Sequence, residues 1–193
     1  MTATPLIALY GLWIVWYASW VISIFWSGRV AARPRPYMHI LYQIPTAAGV
    51  ILLFWPETVG IPIYPLWTAP DMLGWIAFAL TAVSFAFCWW ARVTMGRLWS
   101  GYISRTDNHR VIDTGPFAIV RHPIYTGVIS AAFLLAGELG TLDAFLGASL
   151  LLAAFYVKAR VEERFLGKEL GEESYASHRR KVPMLVPFWP KPA

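Results

Sequence analysis

Cysteine is nearly absent: Cys88 stands alone in an apolar run. One thiol excludes a disulfide framework and a thiolate metal site, and it leaves Cys88 the role of a small packing residue. Histidine is scarce as well, with 4 in the chain, and no His/Cys spacing suits zinc. No Gly-x-Gly-x-x-Gly loop follows a strand, which excludes a soluble Rossmann-type enzyme. Charged residues make up only 14% of the chain, with 11 acidic residues against 16 Lys and Arg. There is no internal repeat and no low-complexity linker, so 193 residues read as a single domain. Met1–Pro5 has no positively charged n-region, so the first apolar segment is expected to stay in the mature protein.

Apolar residues are abundant. They make up 58% of the chain, with 11 Trp, 9 Tyr and 11 Phe and a mean hydropathy of +0.51, against about 45–50% apolar residues in a soluble domain. A helix crosses the hydrocarbon core with about 20 apolar residues. Leu6–Trp26 meets this without a charge. Ile40–Trp55 is shorter and carries Pro45, which predicts a kinked span. Met72–Ala91 is a third. Pro123–Ala136 and Asp143–Val157 are short, and Gly137-Glu-Leu-Gly-Thr141 between them predicts a tight hairpin dipping into or just crossing the bilayer. The expected fold is an all-α integral membrane protein of five segments. Residues 1–55 form an N-terminal helical hairpin, and residues 72–193 form a core with cytoplasmic loops and tail.

Charge placement supports five segments. Arg29, Arg33 and Arg35 follow the first. Arg92, Arg97, Arg105, Arg110 and Arg121 lie between the third and fourth. The remaining Lys and Arg, from Lys158 to Lys191, follow the fifth. Five crossings put all 16 cations on one side and leave Glu57, Asp71, Glu138 and Asp143 on the other. The positive-inside rule then sets the N-terminus outside and the C-terminus in the cytoplasm. The net charge of +5 fits loops near anionic headgroups and needs no nucleic-acid partner. Arg33-Pro-Arg-Pro36 reads as a stiff interfacial corner.

Ionisable groups close to such segments are costly unless they face a cavity or a partner. Asp113-Thr-Gly-Pro116 reads as a turn. Pro123 suits the first turn of the fourth helix and sets His122 at its N-terminus, where free N–H groups favour an anionic group. Arg121-His122 fits either a snorkelling anchor pair or a polar pocket at the membrane surface. Glu162-Glu163 fits either a helix leaving the membrane, paired with Lys158 or Arg160, or a carboxylate site. Lys158 lies one turn before Glu162, on the same face.

Arg121-His122-Pro123-x-Tyr125-x-Gly127 followed by Glu162-Glu163 resembles the isoprenylcysteine carboxyl methyltransferase family of integral membrane enzymes. The resemblance covers Gly96 to Pro187. It includes Gly96-Arg-Leu-Trp-Ser100, the loop His109-Arg-Val-Ile112, and the C-terminal Gly171-Glu-Glu-Ser-Tyr175 with Lys181-Val-Pro183 and Pro187. It implies S-adenosylmethionine as cofactor, held by His109, Arg110, Val111, Ile112, Phe117, Arg121, His122, Pro123, Ile124, Tyr125 and Glu162. Phe117 stands where the family commonly has Tyr. Tyr125 is placed to stack on the adenine or donate its hydroxyl, and Gly127 to let backbone approach a ligand or a neighbouring helix. Glu163 is expected to hold a neighbouring Arg or the loop. Lys158 stands where the family usually places an Arg to hold the acceptor carboxylate, with Arg160 two residues on. Lys158, Arg160 and Glu163 are thus the implied catalytic residues, and no metal is implied. Tyr175 is expected to pack the tail over the pocket, while His39 and His178 read as interfacial.

The implied reaction is methyl transfer to an isoprenylated cysteine or another lipophilic carboxylate that enters from the bilayer. A carboxylate needs a positioning cation and no base. A phospholipid amine, the acceptor of a related family, needs a base such as Glu163 or His122. A membrane reductase fits less well, because such enzymes are larger with more spans. A non-catalytic membrane protein that kept the pocket is a further alternative.

Overall fold

The computed structural model describes residues 4–27, 30–32, 37–55, 65–99, 105–106, 112–170 and 172–188. Six helices dominate. Helix α1 spans Pro5–Ser23 and ends in a 3-10 turn, Ile24–Trp26. Its start is set by Thr4, whose hydroxyl accepts from the Ile7 N–H, and by Pro5 in the first turn. Helix α2, Tyr37–Phe54, runs on through Pro45. Helix α3, Asp71–Met95, stops at Gly96, whose φ of 53° suits glycine. Helix α4, Pro123–Leu139, starts on proline and closes on the left-handed Gly140, whose N–H bonds Ala136 O at 2.9 Å. Helix α5, Leu142–Leu170, and α6, Glu172–Lys181, follow.

One feature differs from the sequence expectation. The fifth helix is not short: α5 has 29 residues and carries Lys158, Glu162 and Glu163 in its second half. Backbone hydrogen bonding continues past the last apolar turn because Glu, Lys and Arg are good helix formers there. The fold is all-helical in class, as expected, with one short ladder beside the helices. Val30–Ala32 pairs antiparallel with Arg105–Thr106, with Val30 opposite Thr106.

Three stretches are long and apolar enough to cross a bilayer: Pro5–Trp26, Asp71–Leu98 and Leu142–Lys168. Two shorter apolar helical stretches, Met38–Phe54 and Pro123–Leu139, lie beside them. Large apolar side chains such as Ile14, Phe25, Met72 and Val83 point outward. A soluble monomer does not leave so much apolar surface bare, and the chain is an integral membrane protein.

Packing sets two rigid pairs. Helices α2 and α5 cross at glycines: a Cβ on Gly49 would lie 2.8 Å from Gly147 O, and one on Gly147 would lie 2.8 Å from Gly49 O. Small residues let backbones approach closely where lipid gives no hydrophobic drive. Helix α1 lies on α3 through rings, with Trp16 stacked on Phe85 at 4.6 Å and Trp13 edge-on to it at 4.9 Å. Helix α4 joins the pairs. On α4, Gly127 meets α3, where a Cβ would clash with Cys88 Sγ and the Ser84 carbonyl. Cys88 is buried there and donates to Ile124 O at 3.5 Å. Far from the site, Leu66 N–H bonds Gly140 O at 2.7 Å and Trp67 Nε1 bonds Gly137 O at 3.0 Å, which straps the segment before α3 to the α4–α5 turn.

Candidate functional site

The polar centre forms where the start of α4, the second half of α5 and the tail meet. Gly115, at φ 60°, opens a 3-10 turn that buries Pro116 and Phe117 and delivers the chain to Arg121. The tail then lies across this corner. The N–H groups of Arg121 and His122 donate to Pro183 O at 2.9 Å and Met184 O at 3.2 Å, and the Thr126 hydroxyl donates to Leu185 O at 2.6 Å. The guanidinium of Arg121 donates to Arg179 O at 3.0 Å and also to Val182 O. The N–H groups of Arg121 and His122 are therefore used by tail carbonyls.

The two glutamates divide. Glu163 is buried, and its Oε1 accepts from Arg121 Nε at 2.7 Å and from His122 Nε2 at 3.2 Å. Glu162 keeps 24% of its side chain exposed; its Oε2 accepts from the Tyr125 hydroxyl at 2.6 Å and lies 3.7 Å from His122 Nδ1. His122 and Tyr125, three residues apart on α4, stack with ring centroids 5.2 Å apart and planes 3° apart. A carboxylate has about four acceptor positions, so Glu162 retains capacity toward the open side.

That open side is a cavity of about 920 Å³, at the upper end of ligand pockets. Its polar end is lined by Arg121, His122, Tyr125, Glu162 and His178. Its apolar end lies between α1 and α2 and is lined by Trp13, Trp16, Tyr17 and Trp20 of α1 and by Val50, Phe54 and Trp55 of α2. Phe54 touches Trp13 at 5.3 Å and Tyr10 at 6.1 Å, where the two helices come together. Lys158 lies between the ends, its Nζ 5.1 Å from the Tyr125 ring centroid, 5.5 Å from Tyr42 and 6.0 Å from Phe155. Such faces hold a cation through the ring quadrupole.

Of the residues singled out in the sequence, Ile112, Phe117, Arg121, His122, Pro123, Ile124, Tyr125, Lys158 and Glu162 line this one cavity. His109, Arg110 and Val111 lie outside the described residues, as does the side chain of Tyr175. Two of the implied catalytic residues lie outside the cavity lining. Arg160 is exposed on α5 and does not line the cavity, because two residues along a helix turn the side chain to another face. Glu163, implied as catalytic and also expected to hold a neighbouring Arg, holds Arg121 and His122 and is not among the residues that line the cavity.

Other contributors had weaker signals in the sequence. Trp13, Trp16 and Trp20 recur at helical spacing and so mark one face of α1. His178, taken as interfacial, is buried and lines the polar end; its position four residues before Val182, in the tail motif, was the available sign. Arg92 is wholly buried, with its guanidinium 4.6 Å from the Trp26 ring centroid and 4.5 Å from Trp99 and bonds to Ser23 O and Gly96 O. It ties the end of α1 to the end of α3, and nothing in its flanking sequence distinguished it from an anchor. Among the described residues no group of three or more His, Cys, Asp or Glu is placed to hold a metal ion.

Comparison with known proteins agrees with this corner of the fold. The cobalt-zinc-cadmium resistance protein CzcN of Cupriavidus metallidurans is 29% identical over 123 residues, which are 63% of this chain and 51% of CzcN. The chain thus spans about half the length of that relative. The model of the isoprenylcysteine carboxyl methyltransferase (ICMT) family matches residues 75–168, from α3 through both glutamates. That stretch, which holds Arg121, His122, Tyr125, Lys158 and Glu162, is where the chain is similar to the ICMT family.

Proposed function

We propose that the protein transfers a methyl group from S-adenosylmethionine to the carboxylate of a lipophilic acceptor at the cytoplasmic face of the membrane. The family implies a membrane methyltransferase. The observation that carries the finer reading is the single cavity, polar at His122 and Glu162 and aromatic between α1 and α2. It suits one water-soluble and one apolar ligand meeting at Lys158.

The donor groups fit the cofactor. The partly exposed Glu162 carboxylate suits ribose hydroxyls or an ammonium, and the coplanar His122–Tyr125 pair offers a flat face to an adenine. The cofactor, when bound, supplies an activated methyl group. The chain supplies position. Tyr125 fixes one oxygen of Glu162, while Glu163 fixes Arg121 and the imidazole of His122. Lys158 then holds an already ionised acceptor, and the aromatic walls exclude water from its tail. The charge distribution supports five crossings, with the N-terminus outside and the polar end in the cytoplasm.

A second reading, N-methylation of a lipid amine, draws on the faces of Tyr42, Tyr125 and Phe155, which already receive a cation. Labelled S-adenosylmethionine with carboxylate and amine lipids separates the two. With a carboxylate acceptor, Lys158→Ala loses activity while S-adenosylhomocysteine affinity stays near normal, and Lys158→Arg keeps activity. With an amine acceptor, Lys158→Ala is neutral or beneficial. Absence of transfer to both lipids together with absence of S-adenosylhomocysteine binding would refute the proposal.

A further inference from the structure

The polar end contains a titratable group that the methyl-transfer scheme does not use. His178 sits on α6, in the tail that crosses the start of α4. Its side chain is 8% exposed and lines the cavity beside Arg121 and His122. The residues around it are already bonded: Arg121 donates to Glu163 Oε1, Arg179 O and Val182 O. The His178 carbonyl accepts from the Val182 N–H at 3.1 Å. The segment that positions the imidazole is thus the one that supplies carbonyls to Arg121 and His122.

We infer that His178 is a binding residue of the cavity's polar end and acts as a neutral imidazole, giving one hydrogen bond and accepting one. Its surroundings select that form. Burial disfavours the cation most, and the charge of Arg121 adds to this; His122 acts in the same sense. Asp113 in the loop and Glu163 on α5 oppose it, yet the net displacement is downward from the usual histidine value. On α6 itself Arg179 and Arg180 are exposed, and so is Lys181. A ligand filling the cavity removes more water from the ring, so a protonated His178 opposes binding. The inference rests on the methyltransferase reading only for its probe.

The test is calorimetric titration of the full-length protein in detergent with S-adenosylhomocysteine from pH 8 to pH 5. In the wild type, affinity falls toward the acid end, on the order of tenfold for each unit by which occupancy lowers the imidazole pKa. In His178→Gln, similar in size with one donor and one acceptor function retained, affinity at pH 8 stays within about threefold and the acid loss shrinks. His178→Ala loses on the order of tenfold at pH 8. His122 is present in every variant, so the difference between profiles belongs to His178. Coincident profiles for wild type and His178→Gln, or equal losses in the Gln and Ala variants, would overturn the inference. If S-adenosylhomocysteine does not bind the wild type at pH 8, the cofactor reading fails. His178 is then tested by isothermal hydrogen exchange at the amides of Arg121, His122 and Val182, corrected for intrinsic rates. Stronger acid-induced loss of protection in the wild type than in His178→Gln supports a neutral ring, and matching losses reject it.

Discussion

At the scale of single residues, the adjacent glutamates are chemically alike and structurally opposite. Glu162 faces the cavity with an acceptor oxygen in reserve, so Glu162→Gln is expected to weaken S-adenosylhomocysteine binding with little change in thermal stability. A charge-assisted hydrogen bond is worth roughly 1.5–3 kcal/mol, which corresponds to a loss of about ten- to a hundredfold; calorimetry reads it directly. Glu163 is a buried partner of Arg121, and removing one member of a buried pair strands the other. Arg121→Ala is therefore expected to cost about 3–5 kcal/mol and to release the tail, seen as a lower unfolding midpoint and faster proteolysis after Val182. If Glu162→Gln and Arg121→Ala both leave stability and binding unchanged, the corner is only a membrane anchor. His178 adds a stability effect of known sign. Its folded-state pKa lies below the unfolded value, so its contribution is present above about pH 6.5 and is lost as pH falls below it.

At the scale of elements, helix pairs determine what each substitution reaches. The α2–α5 crossing has no room for a side chain, since a Cβ on Gly147 would also lie 2.9 Å from Leu53 N. Gly147→Val should destabilise the protein by about 1–3 kcal/mol through overpacking, measured by thermal unfolding in detergent. Phe54 limits the aromatic end, so Phe54→Ala should shift the preferred acceptor toward longer tails. Each methylene recovered from water contributes about 0.8 kcal/mol, so two give roughly tenfold in kcat/KM. An unchanged ranking across a series of tail lengths would show that the tail lies elsewhere. The existence of these helices was legible in the apolar runs, and Tyr125 and Glu162 were picked out by a motif compact enough to read, though the hydrogen bond between them was not. The length of α5 was less legible, because the run of charge after Val157 resembles a membrane exit as much as a continuing helix. Arg160 falls off the cavity for a related reason: sequence adjacency to Lys158 conceals a turn of the helix.

At the scale of the whole molecule, five crossings make a definite expectation: a tag fused before Met1 is protected from a cytoplasmic labelling reagent, and one after Ala193 is not. The reverse result would break the charge argument, since all 16 Lys and Arg would then face outward. The bundle itself followed from hydropathy. The cavity did not, because a void between helices is set by the angles at which they pack, and no residue pattern records an angle. The His178 side of the site was hidden for a kindred reason, as the tail returns to α4 through main-chain bonds that any sequence makes. The Arg121–Glu163 knot is tied among α4, α5 and the tail, whereas the aromatic end is built largely by α1 and α2, which precede the family match at residue 75. The molecule thus resembles a socket with an exchangeable fitting. Under the proposed reaction, divergence in the first two helices would alter which tail is admitted while leaving that knot untouched, so grafting α1 and α2 between relatives would let one reaction acquire new acceptors.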